Sequence, residues 1–319
     1  MLKFVVVFSF LTLFILLNFK EESTAGCLEY YLLSNTAYCS FLSQDYKSAI
    51  IQYRKAFSRR PQGCNSMATR NDQYLFAKAL FHEKEFEESQ KFLKEAIVRG
   101  GLTWEDYYKD SISIKNTQFN HFLSKEKYRT FRIKYNNSLD IRLRKTVDSL
   151  FDLDQYYRLM VNNVPESKVD SLKRLQKAVD ATNIEKIEEL IRTYGYPGYK
   201  MIGTTKLNLI IMHSPILFRK RILPILHKEI DNGNVNPDLI GMMTDQHHVL
   251  HRRIPQKYGY FFKRNEIGVR YFMPFQVSHL DSINRYRREI GAISLECMAI
   301  RENAKLPVSF GPEFDFNPK

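Results

Sequence analysis

The feature that most constrains the fold is an internal repeat in the N-terminal third of the chain. The segment AYCSFLSQDYKSAIIQYRKAF begins at Ala37, and the matching segment AKALFHEKEFEESQKFLKEAI begins at Ala77. Small residues recur where two helices must approach closely, and an aromatic residue recurs at Tyr46 and Phe86, where a second helix would begin. The pattern predicts two successive helical hairpins, separated by the loop RRPQGCNSMA with its helix breakers.

This repeat resembles tetratricopeptide helix pairs, whose usual period is about 34 residues. The resemblance covers about residues 27–100, and the long loop accounts for the larger period. A simple duplication of a helical hairpin is the alternative, and it too would be an α-solenoid. The resemblance implies that the region 26–137 binds a protein partner.

The hairpin geometry predicts one disulfide. The first helix of an antiparallel pair begins near the end of the second, so Cys27 and Cys64 are expected to form a disulfide. Cys27 cannot pair with Cys39 on one helix, because twelve residues at 1.5 Å rise span about 18 Å. Cys39 and Cys297 are expected to be separate buried thiols. The lack of a C-x-x-C pair argues against structural zinc.

The N-terminus predicts export. Lys3 precedes the apolar run FVVVFSFLTLFILLNF, and small residues follow at 23–25. This run is shorter than the roughly 20 residues of a spanning helix, so we expect a signal peptide over residues 1–25 and a secreted, periplasmic or cell-envelope protein. A membrane anchor through residues 4–19 and lipidation at Cys27 are the alternatives.

The chain is strongly basic, with a net charge of +13. In an exported protein this charge favours attraction to an anionic surface or ligand and disfavours nucleic acid as a partner. The simpler interpretation is that Lys and Arg are spread over exposed helix faces. A hydrophobic content of 44% is sufficient for a buried core.

The C-terminal half has mainly helical periodicity. One helix is expected to run to about Asp180, and Asn183 is expected to cap the next. The segments QKYGYFF and VRYFMPF, joined by KRNEIG, predict a β-hairpin. The fold class is therefore mainly α: a tetratricopeptide-like α-solenoid at 26–137, a helical domain with one small β-hairpin at 138–304, and a tail at 305–319.

A series of polar motifs in this half resembles a bacterial domain family of unknown function, over about residues 140–304. The family often follows tetratricopeptide-like helices in exported proteins. The motifs are Asp154-Gln155 with Arg158, Asp180 with Asn183, Tyr194-Gly195-Tyr196-Pro197, His213, Thr244-Asp245, Gln256 with Tyr258-Gly259, and Arg287 with Gly291. Departures at Gln246 and at Tyr260-Phe261 put any family activity in doubt. The resemblance implies an architecture and candidate residues, and no reaction.

His213 is the best candidate for a general acid or base, because an imidazole titrates near neutral pH. Asp245 and Tyr258 complete the candidate catalytic set. The residues expected to line a ligand pocket are Gln155, Arg158, Tyr196, Gln256 and Arg287. Structural roles are the alternatives: a core histidine, an i,i+4 ion pair between Asp154 and Arg158, and a rigid turn at Tyr196.

Three histidines occur in TDQHHVLHRR. His247 and His251 are placed to chelate a metal from one helix face, but no H-E-x-x-H motif surrounds them and two arginines follow. A basic helix end is the main interpretation. Neither a metal nor a cofactor is expected. The predicted function is an exported interaction protein attached to a pocket-bearing domain. The alternative is a hydrolase using His213, Asp245, Gln256 and Tyr258.

Overall fold

A computed structural model describes residues 27–61, 64, 67–113, 119, 122–161, 163–266, 268–307 and 310. The predicted signal peptide or anchor therefore lies outside the described residues. The described part is mainly helical, as the periodicity predicts, and carries one small three-stranded sheet. No helix within it has the length and apolar character needed to span a membrane.

Two helical hairpins form where the repeat predicts them. The N-terminal helices are α1 (Cys27–Leu42), α2 (Tyr46–Ser58), α3 (Met67–His82), α4 (Phe86–Val98), α5 (Trp104–Ser113) and α6 (Lys125–Asn136). Helix α1 packs on α2, and α3 packs on α4. The equivalent alanines Ala37 and Ala77 are completely buried, because larger side chains would separate the paired helices.

The turn inside each hairpin repeats in atomic detail. Gln44 and Lys84, which occupy equivalent positions of the two repeats, both adopt left-handed backbone conformations, with φ of 61° and 65°. In each turn the following backbone N–H, of Asp45 or Glu85, donates to a carbonyl five residues earlier. The repeat in the sequence is thus also a repeat of backbone geometry.

The described C-terminal half contains nine further helical segments. They are α7 (Ile141–Val161), α8 (Glu166–Tyr194), α9 (Tyr199–Ile202), α10 (Lys206–His213), α11 (Ile216–Asp231), α12 (Asp238–Gln246), a π-helical turn (His247–Arg252), α13 (Leu280–Glu289) and α14 (Leu295–Glu302). The expected helix start at Asn183 is wrong, because α8 runs through it without a break. Asn183 is buried against α7, where its Nδ2 donates to the carbonyl of Leu150 at 3.3 Å.

The sheet contains the predicted hairpin and one unexpected strand. Strand β1 (Phe262–Arg264) pairs antiparallel with β2 (Arg270–Phe272), with Phe262 opposite Phe272. Strand β3 (Ala304–Lys305) pairs parallel with β2. A two-residue strand carries no alternating pattern, so its sequence could not reveal it.

Two disulfides cross-link the described chain. Cys27 bonds to Cys64, the pair expected from the hairpin geometry, with a Cα–Cα distance of 5.7 Å. The expectation that Cys39 and Cys297 are separate thiols is wrong. They form a second disulfide with a Cα–Cα distance of 5.3 Å, because α1 packs directly against α14. Two disulfides fit folding in an oxidising compartment.

One hydrophobic core extends from the first hairpin into the C-terminal half. It joins Tyr30 and Tyr31 of α1 to Ile187 of α8, Ile211 of α10 and Leu226 of α11. The N-terminal hairpins are therefore in direct contact with C-terminal segments. This contact creates the cavity described below.

Candidate functional site

The first group of motif residues meets between α7, α8 and α10. Asp154 is buried, and its carboxylate lies 2.7 Å from Nδ1 of His213 and accepts from Arg158 at 3.1 Å. Arg158 also donates to Asp180 at 2.6 Å, and Gln155 donates to Asp154 at 2.6 Å. Residues up to 59 positions apart thus form one hydrogen-bonded network.

The two carboxyl groups of this network differ in their electrostatics. Burial raises the pKa of Asp154, but hydrogen bonds from His213 and Arg158 outweigh burial and hold that pKa below its usual value. For Asp180, burial outweighs Arg158 and raises the pKa. Asp154 thus remains ionised, and it orients the imidazole of His213 so that Nδ1 carries the proton.

Nε2 of His213 is the chemically available atom of this group. The histidine side chain is 22% exposed, and no described residue forms a hydrogen bond with Nε2. Ser214, next in the chain, is buried and donates to the carbonyl of Ile210 at 2.9 Å, so it is not placed as a nucleophile. The group can accept or release a proton but offers no adjacent hydroxyl.

The second group of motif residues organises the loop 256–261. Asp245 is completely buried at the end of α12 and accepts from the backbone N–H groups of Lys257–Tyr260 at 2.7 to 3.1 Å. The side chain of Gln256 forms hydrogen bonds with backbone groups of residues 261 and 273, and Arg287 donates to the carbonyl of Tyr258. These interactions shape the loop.

The members of the predicted catalytic set are not joined in one hydrogen-bonded group. No hydrogen bond among the described residues connects His213 with Asp245, Gln256 or Tyr258. The hydroxyl of Tyr196, a predicted pocket residue, donates to Asn208 at 2.8 Å, and burial strongly raises its pKa. Sequence motifs thus identified residues with buried polar partners, but they divide into two separate groups.

The positions that depart from the family pattern also have structural partners. Gln246 accepts from the buried Arg219 at 2.6 Å, and Tyr260 donates to Asp238. Arg219 also lies 3.3 Å from Nε2 of His251. Within the described ranges no three His, Cys, Asp or Glu side chains are grouped so that they could hold a metal ion.

A cavity of about 600 Å³ lies between the N-terminal hairpins and the C-terminal half. Its walls come from α1, α3, residue 102, residues 106 and 109 of α5, the segments 236–238 and 291–293, and Arg301 of α14. This volume suits a drug-sized ligand or a short peptide segment. Sequence analysis missed the cavity, because its walls are distant in the chain.

The repeat contained a signal for this cavity. Helix α1 places residues 31, 35 and 38 on the cavity wall, and α3 places residues 71, 75 and 78 there. These positions correspond one to one when the segment beginning at Ala37 is aligned with that beginning at Ala77. Their spacing of four and then three residues defines one face of a helix. The same face of the first helix in each hairpin therefore lines the cavity.

The cavity contains an unusual acidic group at Asp72. This residue is only 7% exposed, and its carboxyl accepts from the hydroxyl of Tyr30 at 2.7 Å. Burial raises its pKa to about 7, despite the hydrogen bond from Tyr30. A second carboxylate, Asp238, is paired with Arg301 at 3.2 Å. Near neutral pH the cavity thus holds a carboxyl that readily changes its charge.

Two cations of α3 that line the cavity lie against aromatic rings. The guanidinium of Arg70 lies 5.9 Å from the ring centroid of Tyr199. The ammonium of Lys78 lies 5.3 Å from the ring of Phe41 and 5.5 Å from that of Tyr74. Rings at this distance attract cations and orient them.

Comparisons with known proteins identify no relative: no protein-family model matches the chain, and neither the curated proteins nor the solved structures contain a match. Both resemblances found in the sequence therefore stay predictions. The function has to be inferred from the geometry of the described residues.

Proposed function

We propose that this protein is an exported binding protein, in which two tetratricopeptide-like hairpins form one wall of a ligand cavity and a C-terminal domain from about residue 138 forms the other. The hairpins would stack as a short α-solenoid. Stacked repeats expose the same face of each unit, which creates a continuous concave binding surface.

One observation carries this proposal: equivalent positions of the two repeats, such as Tyr38 and Lys78, line the same cavity. If the cavity were only a packing defect, equivalent positions of the two repeats would not be expected to line it. The side chains are also varied, with aromatic rings, amides and charges on one face. That mixture is typical of ligand sites and not of helix–helix contacts.

Export is supported by the two disulfides and by the N-terminal sequence. Disulfides persist in oxidising compartments and are rare in the cytosol. We propose a secreted, periplasmic or cell-envelope location, with a membrane anchor through residues 4–19 or a lipid at Cys27 as the alternatives. The charge of +13 suits an anionic ligand or surface there.

A thermal-shift screen of short peptides, with a blocked variant, tests the binding function. Leu75→Trp places an indole in the cavity wall, whereas Ile51→Trp adds the same group on α2, where Ile51 is 63% exposed. We expect some peptides to raise the melting temperature of the wild type and of Ile51→Trp, but not of Leu75→Trp. Circular dichroism would check that both variants fold.

A failed screen would contradict this function directly. If no peptide raises the melting temperature, or if hits act equally on Leu75→Trp, the cavity is not the binding site.

A second candidate, a hydrolase, has one supporting observation. The buried carboxylate of Asp154 orients His213 and leaves Nε2 available, which is the arrangement of a general base. Of the residues first expected beside it, Asp245 accepts from backbone N–H groups of the loop 256–261, and no hydrogen bond among the described residues joins Gln256 or Tyr258 to His213. The candidate therefore depends on His213 alone.

Hydrolysis of an activated ester, p-nitrophenyl acetate, tests this second candidate. We expect turnover above that of free imidazole, lost in His213→Gln and retained in His279→Gln, a histidine outside the network. Equal rates in both variants would exclude the His213 site.

A further inference from the structure

We propose that the cavity binds an acidic peptide segment, whose carboxylates pair with Arg70 and Lys78 and whose apolar side chain packs between Tyr38 and Phe41. This inference rests on the proposed binding function and specifies its ligand. All four residues line the cavity.

The spacing of the two cations sets the spacing of the two carboxylates. Arg70 and Lys78 are eight residues apart on α3, so their Cα atoms are about 12 Å apart along the helix. An extended peptide rises about 3.3 Å per residue, and its alternate side chains point the same way. Acidic residues four positions apart would therefore face both cations, with an apolar residue midway between them.

The position of Arg70 is restricted by its neighbours. Its Nη1 donates to the hydroxyl of Tyr199 at 3.4 Å, and that hydroxyl donates to the carbonyl of Gly100 at 2.8 Å. Its Nε and Nη2 each donate to Oδ1 of Asn71 at 3.2 Å. A Cβ atom at Gly100 would lie only 2.6 Å from Cγ of Arg70, so the glycine makes room for the arginine side chain. The cation is thus held in place before a ligand arrives, which lowers the entropy cost of binding.

Basic side chains outnumber acidic ones by one among the charged residues that line the cavity. The basic ones are Arg70, Lys78, Lys109 and Arg301, and the acidic ones are Asp72, Asp106 and Asp238. Burial raises the pKa of Asp72 to about 7, so this carboxyl contributes less negative charge near neutral pH than an exposed aspartate does. The cavity wall therefore carries a net positive charge, which favours an anionic ligand over a cationic one.

The remaining lining groups favour a peptide over an anionic polymer. Three asparagines line the cavity, and each uses one amide atom within the protein: Nδ2 of Asn35 donates to the carbonyl of Gly291, Oδ1 of Asn71 accepts from Arg70, and Oδ1 of Asn236 accepts from the backbone N–H of Asp238. The amide oxygen of Asn35 and the amino groups of Asn71 and Asn236 match the donors and the acceptors of a peptide backbone. The rings of Tyr38 and Phe41 suit an apolar side chain, which a polyphosphate or a lipid headgroup lacks. Positive charge alone would suit a peptide, a polyphosphate or a lipid headgroup. The carboxamides and aromatic rings beside the cations favour the peptide.

Calorimetric titration of the full-length protein tests the proposal with two matched peptides. The acidic peptide is acetyl-Asp-Gly-Phe-Gly-Asp-amide, and its neutral isostere carries Asn in place of each Asp. We expect the acidic peptide to bind about tenfold or more tightly than the isostere, because the isostere keeps the shape of the peptide but loses both charge-assisted hydrogen bonds. Replacing the Phe of the acidic peptide by Gly should weaken the binding of that peptide.

Substitutions of Arg70 and Lys78 test whether these two cations bind the carboxylates of the peptide. Arg70→Met and Lys78→Met should each weaken binding of the acidic peptide about tenfold and leave the neutral isostere unchanged. Lys55→Met removes an exposed lysine of α2 outside the cavity and should change nothing. The peptide pair on the unmodified protein remains decisive if a variant does not fold.

Three outcomes would overturn this inference. The first is equal affinity for both peptides, and the second is unchanged affinity in Arg70→Met and Lys78→Met. Either one leaves the binding function intact if Leu75→Trp still abolishes binding. The third is binding to phosphatidylglycerol vesicles with neither peptide bound. If, in addition, no peptide raises the melting temperature in the thermal-shift screen, the proposed binding function is contradicted as well.

Discussion

The hydroxyl of Tyr30 on α1 donates a hydrogen bond of 2.7 Å to the buried carboxyl of Asp72 on α3. Burial raises the pKa of Asp72 to about 7, far above its ordinary value of 3.8. The folded state therefore favours the protonated carboxyl. Its stabilising contribution is complete below about pH 4 and is lost as the pH rises through 7.

Asp72→Asn should remove this pH dependence, because an amide keeps the acceptor for Tyr30 and cannot ionise. Between pH 5 and pH 8 the free energy of unfolding should fall by about 2–3 kcal/mol more in the wild type than in the variant. Urea unfolding at both pH values measures the difference. Both proteins keep the other groups that interact with Asp72, which are Ser34, Tyr38, Tyr53 and Arg60. Equal losses in both proteins would contradict the prediction.

The two disulfides should differ in their contribution to stability. The Cys39–Cys297 bond closes a loop with a sequence separation of 258, and the Cys27–Cys64 bond closes one of 37. Closing a longer loop removes more entropy from the unfolded state, so replacing Cys39 and Cys297 by serine should cost about 5–6 kcal/mol, and replacing Cys27 and Cys64 about 3–4 kcal/mol. Urea unfolding of the two double variants measures both values. A larger cost for the shorter loop would refute this account.

The carboxylate of Asp245 should stabilise the fold without taking part in binding. Asp245→Asn replaces an acceptor of four backbone N–H groups with an amide whose NH₂ faces them, and should cost about 2–4 kcal/mol. Asp231→Asn, an exposed position at the end of α11, should change stability by less than about 0.5 kcal/mol. Chemical unfolding measures both. A neutral effect of Asp245→Asn would leave the loop interpretation without support.

Removing the Asp154 carboxylate should destabilise the protein more than replacing its partner His213. Asp154→Ala leaves Arg158 and His213 partly buried without their shared acceptor, which should cost about 3–5 kcal/mol. His213→Gln keeps a donor for Asp154 and should cost about 1 kcal/mol or less. Asp152→Ala, whose side chain on the same helix is 74% exposed, serves as the control. Comparable losses in Asp154→Ala and His213→Gln would contradict the central role of the carboxylate.

Local features of the fold were predictable from the sequence. The internal repeat predicts both hairpins, and hairpin geometry predicts the pairing of Cys27 with Cys64, because these depend on neighbours along the chain. The failure at Asn183 shows the limit of local rules. Asparagine favours helix caps, but burial against Leu150 gives its side chain a partner inside a continuous helix.

Contacts between distant segments were not predictable. Nothing in one sequence shows that α1 packs on α14, so the disulfide between Cys39 and Cys297 was missed, and so was the cavity. The sequence motifs identified the polar residues, but they did not show which of these residues form hydrogen bonds with one another. Spacing along the chain does not reveal that His213 faces Asp154 while Asp245 faces a backbone loop.

Hydrogen–deuterium exchange with and without the acidic peptide tests most directly whether the cavity is the ligand site. The peptide should slow exchange in α1, in α3 and in the segments 236–238 and 291–293, which line the cavity. Exchange in the α7–α8 hairpin should stay unchanged. Slower exchange confined to α7 and α8, or to the loop 256–261, would contradict the cavity as the binding site.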